Sequence, residues 1–277
     1  MSDVSVGDVL DNSDRREIRP RSPRPGPATL RRDAWWLQPA ATAGMLSLFV
    51  LYSTWAAFQN GNYYSAPYIS PFYSPCIASS CGAQANVAIF GSWWKLSPAL
   101  LVLVFPLGFR LTCYYYRKAY YRSYFVDPPA CAVGEPKVHR RYSMETAFPF
   151  VLQNLHRIFL YLAFVPLFFL WLDALMALRV DGAWRLGLGN VILFANVTLL
   201  SGYSLSCHSL RHLVGGKLDC FSCTARTRAR YSLWQRLTGL NVNHMRWAWF
   251  SLISVAGADL YIRLLAIGLL HDPSIRL

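Results

Sequence analysis

The sequence predicts an all-α membrane protein in which a bundle of five helices crosses the bilayer. Of its 277 residues, 54% are hydrophobic and only 15% are charged, whereas a soluble domain has roughly 25% charged residues. The apolar residues also fall into five stretches, each close to the roughly 20 residues of helix that a crossing requires. Together these observations argue against a soluble enzyme and against a DNA-binding domain.

The chain begins with a polar tail, residues 1–34, which is rich in Pro, Arg and Asp. This composition offers little apolar surface to bury, so we expect an extended, solvated arm. An anchor domain, residues 35–277, follows the tail. Its predicted spans cover about residues 36–58, 97–116, 147–172, 186–209 and 247–270. Trp residues lie near the span boundaries, as expected for side chains that favour the membrane interface.

Lys and Arg residues are divided unequally between the two sides of the spans. Twenty of the 27 lie in the tail and in the connections after the second and fourth spans, and only four lie on the other side. Because basic residues accumulate in cytoplasmic loops, this distribution predicts a cytoplasmic amino terminus and an external carboxyl terminus in the cell membrane. The net charge of +13 therefore reflects topology, and the predicted partners are the lipid bilayer and other proteins, not nucleic acid.

Cys76 and Cys81 lie in the long connection between the first two spans. The orientation places this connection outside, where conditions are oxidising, so a disulfide between the two residues is expected. Two free thiols are the alternative.

A segment rich in Cys and His follows the fourth span, with the pattern C-H-x3-H-x7-C-x2-C from Cys207 to Cys223. On a continuous helix, His208 and His212 project from one face, and the spacing of Cys220 and Cys223 allows two thiolates to reach one metal. The segment faces the reducing cytoplasm, so a disulfide between these two cysteines is not expected. The pattern predicts a metal site.

Two further residues compete for places in that site. His156 lies about ten residues into the third span, and an intramembrane histidine is a functional candidate, the alternative being a hydrogen bond to a neighbouring helix. Cys207 directly precedes His208. The candidate ligands are thus His156, His208, His212, Cys220 and Cys223, with Cys207 as a competitor.

The metal itself remains open between three groups. Two Cys and two His suit a structural zinc, and they also suit a Rieske-type [2Fe–2S] centre, in which imidazoles bind one iron and thiolates bind the other. A haem b with His156 and either His208 or His212 as axial ligands is the third alternative.

The fifth span carries candidates for a quinone site. In its outer half, Asp259 and Arg263 are one helical turn apart with Tyr261 between them. They either form a structural ion pair or contribute to a quinone or proton site. At its inner end lies a polar and aromatic group, which comprises His244, Arg246 and Trp247. This group could hold a quinone carbonyl or contact another subunit.

With its five spans, its basic cytoplasmic face and the segment from Cys207 to Cys223, the chain resembles the membrane anchor of an actinobacterial-type succinate dehydrogenase. In that family a single five-span subunit carries a membrane-embedded Rieske-like centre in place of haem. The resemblance implies flavoprotein and iron–sulfur subunits on the cytoplasmic face and electron transfer through the [2Fe–2S] centre to menaquinone or ubiquinone. This chain would have no succinate chemistry of its own, and a higher oligomer of the complex is compatible with the resemblance. The alternative functions are a haem-b-type quinone-reductase anchor and a non-enzymatic membrane scaffold with a structural zinc knuckle.

Overall fold

Helices dominate the structure, and short antiparallel strands lie between helices and after the last helix. The computed structural model describes residues 33–77, 96–130, 133, 146–180 and 182–276. Its helices are α1 Leu37–Gln59, α2 Ala99–Val102, α3 Val104–Thr112, α4 Tyr114–Tyr124, α5 His156–Met176, α6 Leu188–Leu205, α7 His208–Gly215, α8 Ala225–Val242 and α9 His244–Ala266, with a 3₁₀ turn Phe150–Leu155 before α5. Its strands are β1 Tyr64–Ser65, β2 Tyr68–Ile69, β3 Arg179–Val180, β4 Ala183–Gly187 and β5 Ser274–Arg276.

Four helical segments are long and apolar enough to cross a membrane. They are Leu37–Gln59, Phe150–Met176, Leu188–Leu205 and His244–Ala266. A fifth crossing is formed if the helices Ala99–Thr112 and Tyr114–Tyr124, which meet at an angle of 74°, are one broken span. The predicted fold class, a polytopic all-α membrane protein, is confirmed.

The second span differs from the continuous helix that the sequence predicts for residues 97–116. Helix α3 ends at Thr112, and Cys113 has an extended backbone with φ −66° and ψ 130°. Helix α4 then carries Arg117, Lys118 and Arg122, which would be costly to place in hydrocarbon. The bend thus turns a polar helix away from the line of the apolar one.

The fourth span is also shorter than the predicted residues 186–209. Helix α6 ends at Leu205, and Cys207 has φ −61° and ψ 133°, nearly the conformation of Cys113. Helix α7 begins directly afterwards at His208. Two spans are therefore interrupted in the same way, each at a cysteine that is only 1% exposed.

Glycines allow the helices that carry these breaks to approach their neighbours closely. A Cβ atom at Gly202 of α6 would lie 2.5 Å from the ring of Trp247 in α9, and one at Gly108 of α3 would lie 2.1 Å from the ring of Phe159 in α5. Close approach at small residues is a main source of helix association in membranes. These two contacts hold α6 against α9 and α3 against α5.

A three-stranded sheet covers the end of the bundle opposite the start of α9. Strand β4 pairs with β3 on one side and with β5 on the other, both antiparallel, so the carboxyl-terminal strand is tied to the connection between α5 and α6. The backbone of Gly187 in β4 comes so close to Asp272 that a Cβ there would lie 2.1 Å from the carboxylate. The sheet therefore positions Asp272 over the end of the bundle.

The Asp272 carboxylate accepts several hydrogen bonds at this end. The hydroxyls of Tyr68 and Tyr261 donate at 2.7 and 2.8 Å, the backbone N–H of Gly189 donates at 2.9 Å, and the Arg185 guanidinium lies 3.7 Å away. Burial by itself raises the pKa of Asp272, but the donated hydrogen bonds and the nearby positive charge outweigh it and hold this pKa below its usual value.

Replacing Asp272 by Asn should destabilise this end of the bundle by about 2 kcal/mol at neutral pH, because it removes charge-assisted hydrogen bonds. A folded-state pKa below the unfolded one adds stability above the ordinary aspartate pKa of about 3.9, and this stability is lost as the pH falls through the folded value. Thermal unfolding in detergent should therefore show a lower Tm for Asp272→Asn at pH 7, with the difference shrinking toward pH 3.

The matched control is His271→Asn, which changes the neighbouring exposed side chain and should leave the Tm unchanged at pH 7. A difference between Asp272→Asn and wild type that stays constant from pH 7 to pH 3 would contradict the assigned role of the carboxylate.

Candidate metal centre

Four cysteine and histidine side chains from four helix ends meet in two contacting pairs inside the bundle. The Sγ of Cys113 lies 3.5 Å from Nε2 of His244, and the Sγ of Cys207 lies 3.2 Å from Nε2 of His156. Cys113, Cys207 and His244 are buried and His156 is half-buried. Both cysteines belong to one buried apolar cluster. We call these four residues the buried quartet.

The imidazole of His156 is held in one tautomer by Thr112. The Thr112 hydroxyl donates to the carbonyl of Gly108 at 2.7 Å and lies 2.9 Å from Nδ1 of His156. Since its proton is engaged with the carbonyl, the hydroxyl must accept from Nδ1–H. The proton is then on Nδ1, and the lone pair of Nε2 faces the sulfur of Cys207.

His244 has the same arrangement, built from different residues. The Ser206 hydroxyl donates to the carbonyl of Tyr203 at 3.0 Å and lies 2.6 Å from Nδ1 of His244. Again Nδ1–H must donate to the hydroxyl, so the lone pair of Nε2 faces Cys113. A hydroxyl that fixes Nδ1–H and leaves Nε2 free is the outer support that metal-binding histidines require.

Aromatic rings enclose both imidazoles. The ring of Phe109 stacks on His156 with centroids 4.9 Å apart, and the ring of Tyr203 stacks on His244 with centroids 5.1 Å apart. The Tyr203 hydroxyl is buried and has no hydrogen-bond partner among the residues that the structure describes. A buried polar atom of this kind normally has a partner. The Tyr203 hydroxyl is therefore available to donate a hydrogen bond beside the quartet.

The chemistry of the quartet fits a dinuclear iron–sulfur centre. Two cysteines and two neutral histidines are the donor set of a Rieske-type [2Fe–2S] centre, whose ligands are shared between two irons. No group of three or more His, Cys, Asp or Glu side chains within the described ranges is arranged to hold a single metal ion.

The predicted ligands of the Cys207–Cys223 segment are placed elsewhere. His208 and His212 lie on α7 with ring centroids 5.9 Å apart, and both are exposed. Cys220 and Cys223 form a disulfide, so the expectation that these two cysteines do not form one is wrong in this structure. A disulfide offers no thiolate to a metal. Of the predicted ligands, only His156 and the competitor Cys207 belong to the quartet.

Sequence reasoning did not include Cys113 among the candidate ligands and assigned His244 to a quinone site. The four quartet residues are separated by about forty residues each along the chain, so no local spacing joins them. The signal that could have found them is their position in the predicted topology: each lies near the cytoplasmic end of a different span.

The residues proposed for quinone binding do not come together. His244 belongs to the quartet, Arg246 is exposed, and Trp247 packs on Gly202. Asp259 and Arg263 lie near the other end of α9, which runs from His244 to Ala266. The assignment of all six residues to quinone stays a prediction.

Asp259 and Arg263 form the predicted ion pair, with Arg263 Nε donating to Asp259 Oδ2 at 2.7 Å. The carboxylate also accepts from the hydroxyl of Tyr52 at 2.5 Å and from that of Ser70, and the guanidinium donates to the carbonyl of Gly61 at 2.9 Å. Helix α9 is thereby joined to α1 and to the connection that follows it. Hydrogen bonds that occupy both partners in this way favour the structural interpretation of the pair.

Only one of the two cysteines in the predicted disulfide between Cys76 and Cys81 lies within the described residues. Cys76 is fully buried and takes part in a disulfide, while Cys81 lies outside the described residues. The pairing of these two cysteines stays a prediction.

Comparison with known proteins identifies the family. The family model described as "Actinobacterial succinate dehydrogenase subunit SdhC" matches residues 37–268. The chain belongs to this SdhC family. It is therefore the membrane subunit of a succinate dehydrogenase complex, as the resemblance implies.

A solved structure supports the assignment to the SdhC family. A chain of the Mycobacterium smegmatis Sdh1 complex in the apo form is 44% identical to this chain, with a TM-score of 0.80 over 91% of this chain and 96% of that chain. No curated protein matches this sequence.

Replacing Asp259 by Asn should lower the free energy of unfolding by about 3–5 kcal/mol, because it leaves the buried charge of Arg263 without its counterion. Tyr52→Phe is the matched control, since it removes one hydrogen bond to the same carboxylate and should cost about 1 kcal/mol. Thermal unfolding in detergent measures both changes. A loss of quinone reduction in Asp259→Asn without loss of stability would instead indicate a quinone or proton site.

Proposed function

We propose that this SdhC-family subunit passes electrons from its partner subunits to quinone through a Rieske-type [2Fe–2S] centre held by Cys113, His156, Cys207 and His244. The buried quartet is the observation that carries the proposal. Its donor set replaces the ligands predicted at His208, His212, Cys220 and Cys223. When bound, such a centre would accept one electron, at a potential that imidazole ligands raise relative to thiolates.

The residues of the chain would prepare the site in three ways. Cys113 and Cys207 would supply thiolates, which are the metal-binding form of cysteine. Thr112 and Ser206 would hold the two imidazoles neutral with Nε2 available. The rings around the quartet would exclude water, because they stack directly on both imidazoles.

The face of the bundle near the start of α9 is proposed to meet the flavoprotein and iron–sulfur subunits in the cytoplasm. Helix α8 ends at Val242, directly before His244, and exposes Arg226, Arg228 and Arg236. A basic surface of this kind attracts an acidic partner. The amino terminus would lie on this side and the carboxyl terminus outside, according to the distribution of Lys and Arg along the whole sequence.

Quinone is proposed to bind in a cavity of about 250 Å³ between α1, α3, α5, α6 and α9. Its lining is mainly apolar, with Phe49, Leu103 and Val255 among its residues, and it reaches the polar side chains of Arg110, Tyr203 and Ser204. An apolar cavity with a few polar groups at one end suits an isoprenoid quinone, menaquinone or ubiquinone. Tyr203 borders the cavity and also stacks on His244, so the proposed quinone would lie beside the quartet.

Cys113→Ser and Cys207→Ser should each abolish the [2Fe–2S] signal in EPR spectra of the reduced, purified complex, because each removes a thiolate ligand. Iron content measured on the same samples should fall accordingly. Cys220→Ser and Cys223→Ser are matched controls that replace cysteines outside the quartet and should keep both the signal and the iron.

Other spectra would assign the site differently. Stoichiometric zinc without iron in the wild-type complex would indicate a structural zinc site, and a Soret band would indicate haem. Full iron retention in both Cys113→Ser and Cys207→Ser would contradict the ligand assignment.

Thr112→Val and Ser206→Ala should each weaken retention of the centre by about 10–100-fold, because each removes the hydroxyl that accepts from an imidazole Nδ1–H. The measurement is loss of iron from the folded complex during incubation with a chelator. Thr198→Val changes an exposed hydroxyl-bearing residue of α6 and should behave as wild type. Chelator resistance equal to wild type in both variants would show that the hydroxyls do not support the ligands.

A further inference from the structure

Arg110 is a buried cation next to the quartet that has no part in the proposed ligand set. Its side chain lies in α3, and the residue is 9% exposed. The guanidinium donates to the hydroxyl of Tyr116, to the carbonyl of Ala248 at 3.2 Å and to the hydroxyl of Ser251 at 3.0 Å. All three acceptors are neutral oxygens.

No carboxylate in the described ranges forms an ion pair with Arg110. Asp259 and Asp272 form ion pairs with Arg263 and Arg185, and Asp173 accepts from the hydroxyl of Ser74. An isolated charge in a low-dielectric interior is expensive, and neutral hydrogen bonds and aromatic faces compensate only in part. Because a guanidinium keeps its proton in proteins, Arg110 leaves a permanent net positive charge inside the bundle.

This charge is separated from the quartet by a single ring. The guanidinium carbon lies 4.8 Å from the centroid of the Tyr203 ring, which stacks on the imidazole of His244. The backbone carbonyl of Arg110 accepts from the N–H of Cys113 at 3.2 Å, so the two residues are one turn apart. A charge at this range acts strongly on another charge because the intervening medium is apolar.

We propose that Arg110 is the fixed countercharge for the electron taken up at the quartet, and that it raises the midpoint potential of the centre bound there. The inference rests on the function proposed above. An oxidised [2Fe–2S] core bound by two thiolates and two neutral imidazoles has no net charge, and one added electron makes it singly negative. The partner iron–sulfur subunit supplies that electron, no group leaves, and Arg110 keeps its proton. Arg110 is thus a tuning residue that does not touch the iron.

The test is an EPR-monitored redox titration of the whole purified complex. Arg110→Gln should lower the equilibrium constant for one-electron reduction about tenfold, which corresponds to 59 mV. Arg110→Lys keeps the charge and should stay within threefold of wild type. Arg179→Gln is the matched control, because it removes a positive charge from an exposed side chain in β3, outside the spans, where solvent and salt screen it; it should leave the potential unchanged.

A second variant keeps the test decisive if Arg110→Gln does not assemble. Ser251→Asp leaves the guanidinium in place but sets a carboxylate beside it, and should lower the reduction equilibrium about as much as Arg110→Gln. A merely structural role for Arg110 predicts no change of potential in this variant.

The outcomes separate this inference from the function on which it rests. A wild-type complex without a [2Fe–2S] signal would overturn the proposed function and the role of Arg110 together. A normal signal whose potential is unchanged in Arg110→Gln and Ser251→Asp would overturn the role of Arg110 alone. Arg110 also lines the cavity proposed for quinone. A normal potential with a raised KM for quinone would therefore assign Arg110 to quinone binding and would also overturn the inference.

Discussion

The contact of each buried cysteine with a histidine depends on an interruption of a membrane helix. A backbone that leaves the helical conformation inside a membrane exposes N–H and C=O groups that lipid cannot satisfy. At Cys113 and Cys207 part of this cost is offset locally: the two N–H groups donate to the carbonyls of Arg110 and Ser204 at 3.2 and 3.3 Å. The same short segments supply Thr112 and Ser206, whose hydroxyls orient the facing imidazoles. Each interruption thus places a sulfur and also fixes the nitrogen opposite it.

Hydropathy and charge predict the spans and their alternation, because both are averages over about twenty residues of helix. They do not predict the interruptions. Each depends on one residue in an extended conformation within an otherwise apolar stretch. The residue type at Cys113 and Cys207 does not predict this conformation. The sequence also does not predict the quartet, for a related reason. Local spacing favoured Cys220 and Cys223, whereas Cys113 and His244 come together only through packing of separate spans.

The two ends of the bundle treat buried polar groups differently. Near Arg263 the two carboxylates are occupied: Asp259 accepts from three side chains, and Asp272 accepts from both Tyr68 and Tyr261. At the quartet the opposite holds, since both Nε2 lone pairs face a thiol and the Tyr203 hydroxyl has no partner in the described part of the chain. Occupied groups resist opening and suit a structural role. Groups with unused bonding capacity suit a ligand that is added later.

The same contrast separates the two buried arginines. Arg263 has a carboxylate at 2.7 Å, so its field is largely cancelled and a charge arising elsewhere in the bundle is affected little by it. Arg110 has hydroxyls and a carbonyl as partners, so its field persists toward Tyr203 and the imidazole behind it. A bundle that needed only stability could place a neutral side chain at this position, because an uncompensated charge lowers stability. The presence of Arg110 beside the quartet is understandable if the quartet becomes negative during turnover. The cost of burying this cation is then offset whenever the electron is present.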